Sequence, residues 1–191
     1  MRTGRLEAFS DGVIAIIITI MVLEMKVPHG DSPNELLPVL PVFLSYVLSF
    51  VYVGIYWNNH HHLLHATTTV TGAILWANLH LLFWLSLIPF VTSWMGENSF
   101  ARWPIALYGF VLWMSGLAYY ILAKSLISLH GNDSLLATAL GRKIREIMSL
   151  VCYTVAILFS FINPAISLAI YVFVACLWLV PDKRIENTLD G

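Results

Sequence analysis

Charge is what this sequence has little of. Only 11% of its 191 residues are Asp, Glu, Lys or Arg, while 59% are hydrophobic and the mean hydropathy is +0.79. A water-soluble domain carries about twice that share of charge, so the composition places the chain in a membrane. The few charges nearly cancel, 10 basic against 11 acidic for a net of −1, and no basic run is present. That argues against nucleic acid as a partner. Cysteine is scarce as well. Cys152 and Cys176 stand in apolar segments without metal-ligand spacing and read as reduced, buried, small hydrophobes. The first apolar run lacks a small-residue cleavage site and leads into Glu24-Met25-Lys26-Val27-Pro28, so it reads as part of the mature protein. Paired acids or a Ser/His pair at membrane depth are also missing, so neither an enzyme nor a bound cofactor is expected.

What is present is a series of apolar segments, six in all. They run from about Arg5 to Val27, Leu36 to Trp57, Thr69 to Met95, Trp103 to Ala123, Ile144 to Ile162 and Pro164 to Val180. Pro28 ends the first, and Pro38 and Pro41 fall in the opening turns of the second, where a missing N–H matters little. Pro89 predicts a kink near the end of the third. Asn163-Pro164 reads as a tight hairpin between the last two. With the N-terminus inside, Arg2, Arg5, Lys124, Arg142, Lys143, Arg145, Lys183 and Arg184 share the cytoplasmic side, leaving Lys26 and Arg102 outside. The bias predicts six spans with both termini cytoplasmic. Trp94 and Trp103 flank an outer loop, as interfacial aromatics do. Residues 1–181 therefore read as one all-α membrane domain, and 182–191 as a short cytoplasmic tail. The connection from Ser125 to Lys143 is the longest loop, with Gly131-Asn132-Asp133-Ser134 as a turn and N-cap.

The first segment is unlike the others, because it brings charge toward the apolar slab. Between Asp11 and Glu24 lie about 12 uncharged residues, or about 18 Å of helix against roughly 30 Å of hydrocarbon. An ionisable group at that depth faces a bundle interior, a partner or water. At about 100° per residue, Arg5, Phe9, Gly12, Ile16, Ile20, Leu23 and Val27 form one stripe, with Thr19 at its margin. Asp11 points about 140° from Ile16, and Ser10 about 120° away on the other side. If the stripe lines an axis between subunits, Asp11 turns back into its own bundle. There the second and third segments offer donors: Trp57, Asn58, His60 and His61, then Trp76, Asn78, His80 and Trp84. The alternative makes Asp11 an interfacial acid near a helix N-terminus. The stripe likewise divides between lipid-facing packing and a constriction. Thr19 is either a hydroxyl bonded back to its own helix or one polar step in a hydrophobic ring that gates by dewetting.

The cluster Asn58-Asn59-His60-His61-His62-Leu63-Leu64-His65 invites a metal reading, since His61 and His65 are spaced i, i+4. No cysteine or carboxylate lies nearby in sequence to complete a site. The cluster reads instead as polar caps at a cytoplasmic helix end, with one histidine inside the bundle.

One motif shifts the balance among the open readings. Arg5-x-x-x-Phe9-Ser10-Asp11-Gly12-Val13, continued by Ala15-Ile16 and by Thr19 to Leu23-Glu24, resembles the signature of the transmembrane protein 175 family of potassium channels. Looser matches are Tyr56-Trp57 before His60-His61, and Asn78 through Pro89-Phe90. The resemblance, to prokaryotic members with a single six-helix unit, implies a homotetrameric cation channel whose first helices line one pathway without a carbonyl selectivity filter. It implies a hydrophobic gate at Ile16, a polar layer at Thr19 and a further constriction at Leu23, with Ile20 on the same stripe. It also implies that Arg5, Phe9, Ser10 and Asp11 lock the first helix to the second and third, with Trp57, His61, Asn78 and His80 as the locking partners. The expected partners are potassium ions, the lipid bilayer and further copies of the chain; the expected place is the plasma (inner) membrane, with multiple passes. The rival functions are a proton channel, with Asp11 and His80 relaying protons, and a proton-coupled secondary transporter. The latter would want broken helices and charge on several segments, whereas charge here is confined to the first.

Overall fold

The computed structural model describes residues 3–67, 69–130 and 143–179, the side chains of residues 143 and 144 excepted. The expected turn at Gly131-Asn132-Asp133-Ser134, the tail at 182–191, and Arg2, Arg142, Lys183 and Arg184 lie outside the described residues. Within them the chain forms α1 (Gly4–Leu23), a 3₁₀ turn (Pro33–Val39), α2 (Leu40–His65), α3 (Gly72–Ser86), α4 (Ile88–Glu97), α5 (Arg102–His130), α6 (Lys143–Phe159) and α7 (Pro164–Leu179). No β-strand occurs among the described residues, and the protein is an all-α, polytopic membrane protein.

Each apolar segment contains helix, but several bounds differ from those read in the sequence, for local reasons. α1 ends at Leu23 rather than Val27. Its last turn has no basic residue, and Glu24 caps it through a backbone bond to the Ile20 carbonyl. An acid at a helix C-terminus opposes the dipole, and the chain turns away so that Lys26 Nζ meets Glu97 Oε1 at 2.8 Å. The Glu97 carboxylate raises the Lys26 ammonium above the ordinary lysine value, by hydrogen bonding first and charge second. The pair is open to solvent and adds little stability. α2 continues past Trp57 to His65, because its polar end is partly enclosed by the bundle: His60, Leu63 and Leu64 are all buried. The third segment is broken rather than kinked. Pro89 has no N–H for the Leu85 carbonyl and its ring would collide there, so the helix restarts at Ile88 with Pro89 in the first turn.

Four helical stretches are long and apolar enough to cross a membrane among the described residues: Gly4–Leu23, Pro33–His65, Gly72–Glu97 and Arg102–His130. The described parts of α6 and α7 are shorter, 17 and 16 residues. At Asn163 the side-chain oxygen accepts the Ala165 N–H at 3.0 Å and opens α7. Cys152 is half-buried and Cys176 is exposed, which corrects the reading of both as buried. Apolar neighbours in such a chain mark lipid-facing surface as readily as core.

Around the middle of α2 the core is built from tyrosines. Tyr52 packs edge-on to Tyr108, which packs edge-on to Tyr171. The hydroxyls are all used: Tyr52 Oη donates to the Tyr171 carbonyl at 2.6 Å and Tyr171 Oη to the Ile105 carbonyl at 3.2 Å. Ser49 bonds Thr92 Oγ1 at 2.7 Å and Tyr108 Oη at 3.1 Å, tying α2 to α4 and α5. α7 joins through Trp178 Nε1, which donates to Ser149 Oγ of α6 at 2.9 Å. This block is the frame on which α1 and α3 rest.

α5 comes close to Tyr171 because Gly109 has no side chain; a methyl there would overlap the Tyr171 hydroxyl. Gly109→Ala is expected to destabilise the purified protein by about 1–3 kcal/mol, the usual scale of overpacking. Gly116→Ala serves as the control, since its nearest neighbour, Leu150 Cδ2, stands at an acceptable 3.4 Å. Thermal unfolding followed by tryptophan fluorescence should separate the two by several degrees. Equal midpoints would refute the close approach.

Candidate functional site

α1 has two faces that share almost no residues. Leu6, Ser10, Ile14, Ile17 and Met21 recur every three or four positions and are buried against the bundle. On the other side Phe9, Ile16, Ile20 and Leu23 are 53%, 58%, 40% and 79% exposed, and Thr19 is exposed with them. The stripe read from the sequence is thus the side that the protomer leaves uncovered. A groove of about 650 Å³ runs beside it, between Val13, Ile16 and Ile20 of α1 and Pro89, Phe90 and Trp94 of α4. Glu24 and Glu97 stand at its rim.

The Thr19 hydroxyl donates to the Ile16 carbonyl at 2.9 Å. Its single proton is therefore committed to the helix, and what it turns outward is oxygen lone pairs. Both readings of Thr19 are compatible for that reason: a hydroxyl satisfied by its own helix still presents a cation with an acceptor.

The polar ties start from buried Ser10 and from Asp11, half-buried beside it. Trp57 Nε1 of α2 donates to Asp11 Oδ1 at 3.0 Å, a charge-assisted bond from a neutral donor. Asn78 Nδ2 of α3 donates to Ser10 Oγ at 2.9 Å, and Ser10 Oγ in turn donates to the Leu6 carbonyl at 2.8 Å. His60 Nε2 lies 2.7 Å from Asn78 Oδ1. Ser10, Asp11, Trp57 and Asn78 are thus brought together across α1, α2 and α3.

The other residues named for the lock are not part of this group. Arg5 and Phe9 are exposed rather than packed among the donors. His61 Nδ1 meets Glu7 Oε1 at 3.1 Å, a second tie between α2 and α1 that does not involve Asp11. His61 also stacks between Trp57 and His65, with ring centroids 5.9 Å from each. His80 Nε2 accepts from Trp84 Nε1 at 3.0 Å and so serves its own helix. Among the described residues no three His, Cys, Asp or Glu side chains converge to hold a metal ion.

The sequence offers His60 as one of several donors, whereas the lock that the resemblance implies names His61. A signal for it did exist. Ser45, Ser49, Tyr52, Tyr56, His60 and Leu63 fall three or four residues apart and are all buried. Extending the inward stripe of α2 past Trp57 reaches His60 and leaves His61 at the side.

Comparison with known proteins gives concordant results. The family described as endosomal/lysosomal potassium channel TMEM175 matches residues 5–89, which run from α1 into the first turn of α4. A protein named a potassium channel, from Chryseobacterium sp. (strain P1-3), is 56% identical over 189 residues, 99% of this chain and 98% of its own. The crystal structure of a lysosomal potassium-selective channel TMEM175 homologue from Chamaesiphon minutus matches with a TM-score of 0.78 at 28% identity, covering 93% of this chain and 96% of that one. The Gallus gallus protein named endosomal/lysosomal proton channel TMEM175 is 34% identical over 110 residues, 50% of this chain but 22% of its own length.

Trp57→Phe keeps the ring volume but removes the donor from a half-buried carboxylate. It is expected to lower stability by about 0.5–1.5 kcal/mol, the scale of a hydrogen bond whose partners are open to solvent. Asp11→Ala should lower the yield of folded, assembled protein more than it changes ion selectivity. Size-exclusion chromatography with thermal unfolding checks the first effect and reversal potentials check the second. Selectivity lost with full yield would put Asp11 in the ion path.

Proposed function

This chain belongs to the TMEM175 family, and from that premise we propose that it is a passive, potassium-preferring cation channel. Four copies assemble around an axis lined by α1, with Ile16, Thr19, Ile20 and Leu23 facing the ions. The observation that carries the reading is the division of α1. Its polar and bulky inward side chains are satisfied within the protomer, while an aliphatic stripe with one hydroxyl is left for neighbouring copies to enclose.

The chemistry of that stripe dictates the mechanism. Rings of Ile16 and Leu23 offer a cation no ligands, so a narrow passage between them sheds water and blocks conduction until α1 moves. Thr19 supplies the intervening oxygens. Because its proton is held by Ile16, the layer attracts cations rather than anions, but it has far fewer oxygens than a filter of backbone carbonyls. Selectivity is therefore modest. Glu24, just beyond α1, concentrates cations at the outer mouth. Ser10 and Asp11 with Asn78 and Trp57, and Glu7 with His61, form the supporting region that sets the rotation of α1. The protein sits in the plasma (inner) membrane with both termini cytoplasmic, a placement supported by the side chosen by its Lys and Arg residues.

A proton channel is the second reading. It is favoured by the names of the vertebrate relatives, proton channels, and by the presence of Asp11 and His80 in the helices concerned. Against a relay stands the bond of His80 within its own helix.

Reversal potentials across planar bilayers, with potassium opposed by sodium and a separate pH step, decide between them. A potential displaced toward the potassium equilibrium value is expected. A potential that follows only the proton gradient refutes the potassium reading. Ile16→Asn is expected to raise the leak several-fold and weaken selectivity, and Thr19→Val to reduce potassium preference without blocking current. Unchanged conductance in Ile16→Asn removes that residue from the gate.

A further inference from the structure

Toward the C-terminal end of α2, a cavity of about 40 Å³ lies between α2, α5, α6 and α7, and no residue of α1 lines it. It has room for about three water-sized groups. Its deep wall is aromatic: Tyr52, Tyr56, Tyr119 and Tyr153 are all buried. Its rim, at Asn59, Glu146 and Trp178, is half-buried. The hydroxyl and indole protons of this wall are spent elsewhere. Tyr119 Oη donates to the Asn59 carbonyl and Tyr56 Oη to the Leu112 carbonyl, each at 3.4 Å. Tyr52 Oη donates to the Tyr171 carbonyl, so toward Tyr153 its oxygen accepts. Ser149 Oγ donates to the Arg145 carbonyl at 2.8 Å and accepts from Trp178 Nε1 at 2.9 Å. Asn59 Nδ2 donates to the Ile55 carbonyl at 2.8 Å, which leaves Oδ1 to accept. What remains is oxygen lone pairs and ring faces, and both suit a cation that brings its own donors. Glu146 supplies the matching charge, close enough to act on the Tyr119 hydroxyl. An acid in the first turn of α6 serves the helix dipole, but beside a tyrosine-walled space it is also a counter-ion.

We propose that this cavity binds the ammonium end of an alkylamine, with Glu146 as counter-ion and the tyrosine rings as walls. Size selects the class. Three water-sized places hold one nitrogen and two carbons, whereas a quaternary ammonium with four ethyl arms is too large. A bare metal cation would need a shell of oxygens that the rings do not supply. An alkylammonium uses both halves of the site, the N–H groups on oxygen and the methylenes on the ring faces. An ammonium on a two-carbon stem belongs equally to a soluble amine and to an ethanolamine lipid headgroup. The soluble form, with so few atoms, binds at millimolar strength at best. A lipid held alongside presents the same group at high local concentration. The site stands apart from the conduction helix, so its test needs no current.

Thermal unfolding of the full chain in phosphatidylglycerol nanodiscs is followed with ethylammonium chloride, against sodium chloride at equal ionic strength. Ethylammonium is expected to raise the midpoint by a few degrees through mass action. Tetraethylammonium, too large to enter, and ethanol, of the same size without the charge, are not. Glu146→Gln should lose the rise when compared with its own baseline. Gly116→Ala keeps the acid but sets a methyl among Leu150, Tyr56 and Tyr153, three residues that line the cavity. The bundle accommodates that methyl, so the variant should fold and bind the amine several-fold more weakly. Adding phosphatidylethanolamine to the nanodiscs separates the two sources. A rise that persists supports the site with a soluble amine as its ligand. A rise that disappears supports it with the lipid headgroup already in place. No rise in either membrane, an equal rise with ethanol or tetraethylammonium, or a rise that survives both substitutions means that the cavity holds only water, and overturns the proposal.

Discussion

A carboxylate carried into an apolar slab must find donors, and the bond from the Trp57 indole to Asp11 meets that demand at 3.0 Å. That bond lies at the half-exposed edge of the bundle, and together with the buried Asn78–Ser10 bond it favours one rotation of α1 about its axis. Everything on its opposite side follows. With Ser10, Ile14 and Ile17 inward, the helical period turns Ile16, Thr19, Ile20 and Leu23 outward. The outward stripe is thus a consequence of where the polar atoms must go.

The donors are fixed in their turn by packing elsewhere. Trp57 and His60 extend from the same helix that carries Ser49, Tyr52 and Tyr56, and those side chains are gripped by α4, α5 and α7. A change deep in the tyrosine core therefore reaches α1 through a rigid helix rather than through the aliphatic stripe itself. Two jobs are kept on separate surfaces: α5, α6 and α7 supply bulk, while α1, α2 and α3 carry the polar groups that tie α1 to the bundle.

Much of this was legible in the residues. The two faces of α1 could be read from the angular spacing of Asp11, Ile16 and Thr19, and the motif from Arg5 to Val13 pointed to the family and to donors on the next two helices. The losses came where hydropathy and helix geometry diverge. Hydropathy falls at Asn58 and so places the end of the second segment at Trp57, yet a helix persists wherever neighbouring helices can satisfy its polar side chains, and α2 runs to His65. Adjacent histidines point about 100° apart, so choosing His60 over His61 required the inward register of α2. His80 could be placed on α3 but not assigned to Trp84, because an i, i+4 partner on the same helix competes with any partner across it. Cys176 shows the general ambiguity: an apolar neighbourhood does not distinguish protein interior from lipid.

The break between α3 and α4 divides the loyalties of the third span. α3 packs chiefly on α5, and α4 chiefly on α2, while α1 touches both. The N-terminal half of α1 is tethered to α3 at Asn78, and its C-terminal half lies along α4 beside Pro89 and Phe90. The break at Leu87 therefore gives α1 two separate supports, a hydrogen-bonded one on α3 and an apolar one on α4, so the span that follows α2 in sequence holds the two ends of α1 by different kinds of contact.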